Sequence, residues 1–228
     1  MTIQTRYNML MLLNRLIFVT VFFFSNIAIH ANEIELTRMV SDIEKKQSTP
    51  ELKQHAIRMG QERAVLCNQC HGEDGNSKKP NIPNLAGQNP VYLLDQIEKF
   101  ADKRRKNYVM NALSKNFSQD DKENLAIFYA NMKVNPIKVN VKLAEKGQPL
   151  YIKQCYACHG EKGEGKSDYA RLAGQQPQYV EMTLRGFRDK LKNNSKQVKR
   201  SNTTMESISK ALSNEDIKAL AAYVTQLK

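Results

Sequence analysis

Two short stretches of the chain could do chemistry, and they follow one pattern: Cys67-Asn-Gln-Cys70-His71 and Cys155-Tyr-Ala-Cys158-His159. Cys-x-x-Cys-His is the signature of covalent haem attachment. Each thiol adds to a vinyl group of the porphyrin and becomes a thioether, and the adjacent imidazole turns to the iron as its proximal ligand. Two intervening residues let one helical turn hold both sulfurs under the same edge of the ring. A bare Cys-x-x-Cys would be ambiguous between a redox dithiol and zinc. The following histidine, seen twice, argues against both, and the usual spacing of a second zinc ligand pair is missing. The motifs use all four cysteines of the chain, so none remains for a disulfide or a catalytic thiol. The expected cofactors are two covalently bound haem c groups, anchored at Cys67, Cys70, Cys155 and Cys158, with His71 and His159 as iron ligands.

The second axial position of each iron decides between a carrier and a catalyst. Met110 and Met205 are the candidates, because each lies downstream of its motif in a polar stretch, at Asn-x-x-Met. Methionine often only fills a core. A shared place in both halves is hard to explain by packing alone. Met132 falls on a helical core stripe, Met182 has no counterpart in the first half, and His55 has none in the second. Histidine–methionine ligation raises the potential relative to two histidines and leaves no open position for oxygen or peroxide.

These residues sit in a sequence that repeats itself from about residue 53. Leu85-Ala86-Gly87-Gln88 matches Leu172-Ala173-Gly174-Gln175, Pro90 and Tyr92 match Pro177 and Tyr179, and Phe100 matches Phe187. Ser118-x-x-Asp121 matches Ser213-x-x-Asp216, each a capping box opening a last helix. The core stripes of those helices are Leu125, Phe128, Tyr129 and Met132, and Ile217, Leu220, Ala221 and Val224. No run alternates as a strand would. The fold expected is all-α, with two tandem cytochrome c-like domains at 53–136 and 137–228, each holding one haem. Val134 to Val141 is β-branched, carries Pro136 and reads as an extended linker.

Residues 1–31 read as a signal peptide, with Arg6 and Arg15 flanking an apolar run from Leu16 to Ile29. Cleavage after Ala31 is expected, an uncleaved anchor being the alternative. Either way the haem motifs face the periplasm. Residues 32–52 form an N-terminal helical extension with no equivalent before the second motif. The net charge is +12, and the signal segment contributes only two of the basic residues, so the remainder favours acidic partners. No recognition motif accompanies that charge, which argues against nucleic acid. Lys103-Arg-Arg-Lys106, and Lys190, Lys192, Lys196, Lys199 and Arg200, place basic loops before the two methionines.

The duplicated Cys-x-x-Cys-His-Gly, the Leu-Ala-Gly-Gln segments and the paired Asn-x-x-Met positions resemble the cytochrome c4 family over roughly residues 54–228. The resemblance implies two similar all-α haem domains packed face to face. It makes His71 with Met110, and His159 with Met205, the axial pairs. It also implies a periplasmic carrier passing electrons from a quinol-oxidising complex to a terminal cytochrome c oxidase, with peripheral membrane association. The chain departs from the family in three places. Pro83 stands two residues before Leu85, but Ala170 occupies the matching place in the second half. The extension at 32–52 and the long loop at 188–204 also exceed the usual pattern. Two other functions stay open on these residues: a haem subunit of a periplasmic dehydrogenase or oxidase, and a di-haem peroxidase, which the matched methionines disfavour.

Overall fold

The computed structural model describes residues 33–190 and 200–228. The signal segment and the middle of the 188–204 loop lie outside the described residues. Packing divides the chain into one unit up to Ser41 and a second unit from Asp42 to Lys228. In the first unit, residues 33–41 are helical.

Every named element of the second unit is an α-helix. Residues 42–46 are helical and close the segment we call α1 (33–46). The first repeat holds α2 (Pro50–His71), α3 (Pro90–Ala101), α4 (Tyr108–Ser114) and α5 (Gln119–Ala130). The second holds α6 (Val141–Gln154), α7 (Tyr156–His159), α8 (Pro177–Lys190), α9 (Thr203–Ser209) and α10 (Asn214–Gln226). Pro50 starts α2, because a first-turn residue needs no amide hydrogen, and the Thr49 side chain caps the turn by accepting from Leu52 N. Within this unit Lys46 pairs with Asp120 and Glu123 of α5. Among the described residues no helix is long and apolar enough to cross a membrane.

Each repeat is built on one helix crossing. The helix that carries the first haem motif, and the one that leads into the second, pack against the last helix of their repeat, α2 on α5 and α6 on α10. Gly60 and Gly147 sit at the crossings, with the partner backbone where a side chain would be: Asn124 O for Gly60 and Ala219 O for Gly147. Both capping boxes form, Ser118 with Asp121 and Ser213 with Asp216. The expected stripes of the last helices are buried, apart from Met132, which is half-buried past the end of α5.

The two repeats meet through reciprocal contacts. Gln88 donates from Nε2 to Arg171 O at 2.9 Å and accepts from Arg171 N at 2.6 Å. Its counterpart Gln175 does the same to Asn84, donating to Asn84 O at 3.0 Å and accepting from Asn84 N at 2.7 Å. Each glutamine thus grips the backbone of the other repeat just ahead of that repeat's Leu-Ala-Gly-Gln segment. The next residues swap too: Asn89 donates to Glu164 O, and Gln176 donates to Ser77 O. The linker is part of this seam. Val134 stands between Gly87 and Gly174, both at positive φ, where a Cβ on either would strike one of its two methyls. Replacing Gln88 by Leu should lower the stability of the holoprotein by about 2 kcal/mol, because two backbone groups of Arg171 lose their partners. Denaturant unfolding measures this, and an unshifted midpoint would show that the clamp contributes nothing.

Candidate haem sites

Cys67, Cys70 and His71 lie on the final turn of α2, which runs unbroken through the motif. In the second repeat the helix breaks at Cys155, and Cys158 and His159 lie on the short α7. All four cysteines are half-buried and free of disulfides. Burial pushes the Cys67 thiol up, the nearby Tyr129 hydroxyl partly offsetting it and Cys70 adding to it. Burial together with Cys158 pushes the Cys155 thiol up to about 11. These two thiols are neutral, unlike the acidic thiolate of a redox dithiol. Among the described residues no cluster of three or more His, Cys, Asp or Glu is arranged to hold a bare metal ion.

The imidazoles are set alike. His71 Nδ1 lies 2.9 Å from Pro83 O, and His159 Nδ1 lies 2.9 Å from Ala170 O. A carbonyl only accepts, so Nδ1 carries the proton and Nε2 is left with its lone pair, the arrangement a metal-binding histidine needs. Burial holds both imidazoles below the usual histidine range, against the raising effect of those hydrogen bonds. The proline missing from the second repeat costs nothing here, since Ala170 presents the same carbonyl at the same distance. The loops that carry these carbonyls are held by matched turns. Gly75 O accepts from Leu85 N and Ala86 N, and Gly163 O accepts from Leu172 N and Ala173 N.

The methionines sit on short helices rather than in open loop. Asn107 caps α4 by accepting from Met110 N at 3.0 Å, and Asn202 caps α9 by accepting from Met205 N at 2.9 Å. This explains the Asn-x-x-Met spacing, for a capping side chain reaches the third residue of the helix it starts. Each methionine is half-buried on a first turn whose start is pinned. Two residues behind each cap stands an arginine, Arg105 and Arg200. Its charge lies close enough to act on His71 and His159 respectively, adding to the lowering that burial begins.

Two free cysteines and an imidazole whose Nε2 keeps its lone pair recur in both repeats, which suits covalent haem attachment at each. The part missed in the sequence is that Arg105 and Arg200 turn inward instead of joining the basic surface. Arg105 lies over the Phe100 ring at 4.4 Å and Arg200 over the Phe187 ring at 4.7 Å. The signal was present as the recurring Arg-x-Asn-x-x-Met, hidden in the first repeat by its neighbouring cations.

The family model described as cytochrome c matches residues 144–228. The chain is similar to cytochrome c4 of Azotobacter vinelandii, 36% identical over 187 residues, which cover 74% of this chain and 87% of that protein. It is also similar to a thiosulfate dehydrogenase electron acceptor of Thiomonas intermedia, 31% identical over 140 residues, covering 55% of this chain and 64% of that protein. The solved structure of reduced cytochrome c4 from Pseudomonas stutzeri superposes with a TM-score of 0.65 at 30% identity, covering 74% of this chain and 97% of that one. Two covalently bound haem c groups are accordingly the cofactors, and the architecture is a tandem of two all-α cytochrome c-like domains. This di-haem electron-transfer protein belongs to the cytochrome c4 family.

Proposed function

We propose that the chain is a periplasmic one-electron carrier of a respiratory chain, with no substrate turnover of its own. It takes electrons from a quinol-oxidising complex and passes them towards a terminal cytochrome c oxidase. The observation that carries this reading is the matched pair of donor sets, an imidazole with Nε2 free and a methionine on a capped first turn in each repeat. Cys67 and Cys70 anchor one haem, with His71 and Met110 on its iron. Cys155 and Cys158 anchor the other, with His159 and Met205. The domains run 53–136 and 137–228, behind a signal peptide at 1–31 and the extension at 32–52.

Each haem, when bound, supplies an iron that cycles between ferric and ferrous. The Pro83 and Ala170 carbonyls fix the tautomer and direction of the imidazoles, and the Asn107 and Asn202 caps fix the methionines. A donor on both sides leaves no position for an outside molecule, which suits electron transfer and opposes catalysis. Exposed Lys103, Arg104 and Lys106 beside exposed Tyr108 and Val109 make a cationic rim around an apolar patch next to Met110. That surface suits an acidic-surfaced redox partner. The resemblance to a thiosulfate dehydrogenase electron acceptor supports a second reading, in which a dehydrogenase supplies the electrons.

Carbon monoxide tests the reading. The reduced native holoprotein should keep its spectrum under the gas and be reoxidised by oxidase-containing membranes. Ready binding of carbon monoxide to either iron would sink the carrier reading. Stable copurification with a dehydrogenase would select the second electron source.

A further inference from the structure

Asn111 and Glu206 are matched residues, each directly following its candidate axial methionine. They share one structural task. A side-chain oxygen of each reaches back to the start of its short helix and accepts from the backbone N–H of the capping asparagine. Asn107 N donates to Asn111 Oδ1 at 2.8 Å, and Asn202 N donates to Glu206 Oε1 at 3.0 Å. A neutral amide oxygen meets that demand in the first repeat. The charge of a carboxylate is therefore surplus to it in the second.

That carboxylate is not at the surface. Glu206 is only 6% exposed, and burying a carboxylate costs more than burying an amide. Its Oε1 also accepts from the Ser201 hydroxyl at 2.9 Å. Two donors on one oxygen favour the ionised form. Asn111 is held differently: its amide nitrogen donates to Arg105 O at 2.8 Å, which a carboxylate cannot do. Each repeat has one arginine acting on its histidine, Arg105 on His71 and Arg200 on His159, so that charge is common to both. Among the buried residues of the two methionine helices, Ser114 matches Ser209, and Glu206 alone brings a charge that its counterpart lacks.

We propose that Glu206 sets the two haems apart: its charge stabilises the ferric state of the second iron and so biases a single shared electron towards the first haem. The proposal rests on the reading that Met205 is on the second iron and Met110 on the first. Ferric iron carries one positive charge more than ferrous, so a nearby anion favours it. A buried anion does so through a medium that screens it poorly. The first haem, whose methionine is followed by a neutral amide, is spared this effect. It is also the haem beside the cationic rim and apolar patch of Lys103, Arg104, Lys106, Tyr108 and Val109. The bias therefore places the electron next to the surface suited to an acidic partner.

Redox titration of the holoprotein, with the haems told apart by their methyl resonances in NMR, tests this. Glu206→Gln keeps an oxygen for Asn202 N and removes the charge. It should shift the equilibrium of the second haem about tenfold towards ferrous, which is 59 mV for one electron, and leave the first in place. Raised salt should leave that shift standing, since a buried charge is screened less than an exposed one. An unmoved second haem, a shift shared equally by both haems, or a shift that salt abolishes overturns the proposal. Should Glu206→Gln fail to mature, Asn111→Asp decides: a shift of the first haem towards ferric supports the proposal, and none refutes it. The sulfur-to-iron band separates the proposal from the reading beneath it. Where Met205→Ala removes the band of one haem and Glu206→Gln keeps both, an unmoved potential refutes the role of Glu206 alone. Where Met205→Ala leaves both bands, the ligand assignment falls and the proposal falls with it.

Discussion

Met110→Ala should remove the sulfur-to-iron charge-transfer band of one haem and lower the potential of that haem on the order of 0.1–0.2 V, part of the ~0.8 V over which axial ligands tune haem iron. Met205→Ala should do the same to the other. A thioether is a soft donor that favours ferrous iron, and water or a vacant position does not replace that preference. Alanine is a good helix former, so the first turns of α4 and α9 should survive with Asn107 and Asn202 still capping them. The change is therefore confined to the donor. It should also open the iron, so that carbon monoxide binds the reduced variant where it does not bind the native protein. Visible spectroscopy with a redox titration measures both effects. A full-strength band from both haems in Met110→Ala would identify a different ligand in the first repeat.

The second large effect concerns the crossings. Gly60→Ala should destabilise the first repeat, and Gly147→Ala the second, each by about 3 kcal/mol. Alanine in a helix normally gains up to about 1 kcal/mol over glycine, so the sign depends on the contact. A Cβ on Gly60 would lie 2.6 Å from Phe128 Cβ and would also collide with the Asn124 carbonyl oxygen. On Gly147 it would lie 2.6 Å from the Ala219 carbonyl carbon and 2.8 Å from Tyr223 Cβ. These are backbone and first-carbon atoms of a packed helix, which no rotamer change can withdraw. The helices must separate, and the haem motif at the end of α2, or the one that follows α6, moves with them. The thermal midpoint should fall by roughly 6–12 °C for a chain of this length, with poorer yield of holoprotein. A midpoint unchanged or raised would mean that the helices can slide apart without loss.

Much of this was legible in the sequence because it is local. A capping box, a Cys-x-x-Cys-His and a glycine turn each announce themselves within five residues. The cysteine–histidine motif of each repeat was readable for that reason, and duplication singled out Met110 and Met205 as the candidates for the second axial position. The crossed contacts were not readable, because Gln88 with Arg171 and Arg105 with Tyr179 are far apart in the chain and leave no periodic trace. The short helices α4 and α9 escaped notice as well. A seven-residue helix shows too little periodicity to stand out from a polar loop, and only the asparagine caps marked it. Arg105 was hidden by composition, since one inward cation in a run of four looks like the other three.

Val134 lies in the linker at the end of the first domain, and its two methyls fill the places where side chains on Gly87 and Gly174 would begin. A larger residue at either glycine could be accommodated only by trimming the valine. That trimming would leave a void against the opposite glycine. Drift in one half is thereby transmitted to the other through a spacer that touches no haem ligand, so the duplicated halves are not free to diverge independently.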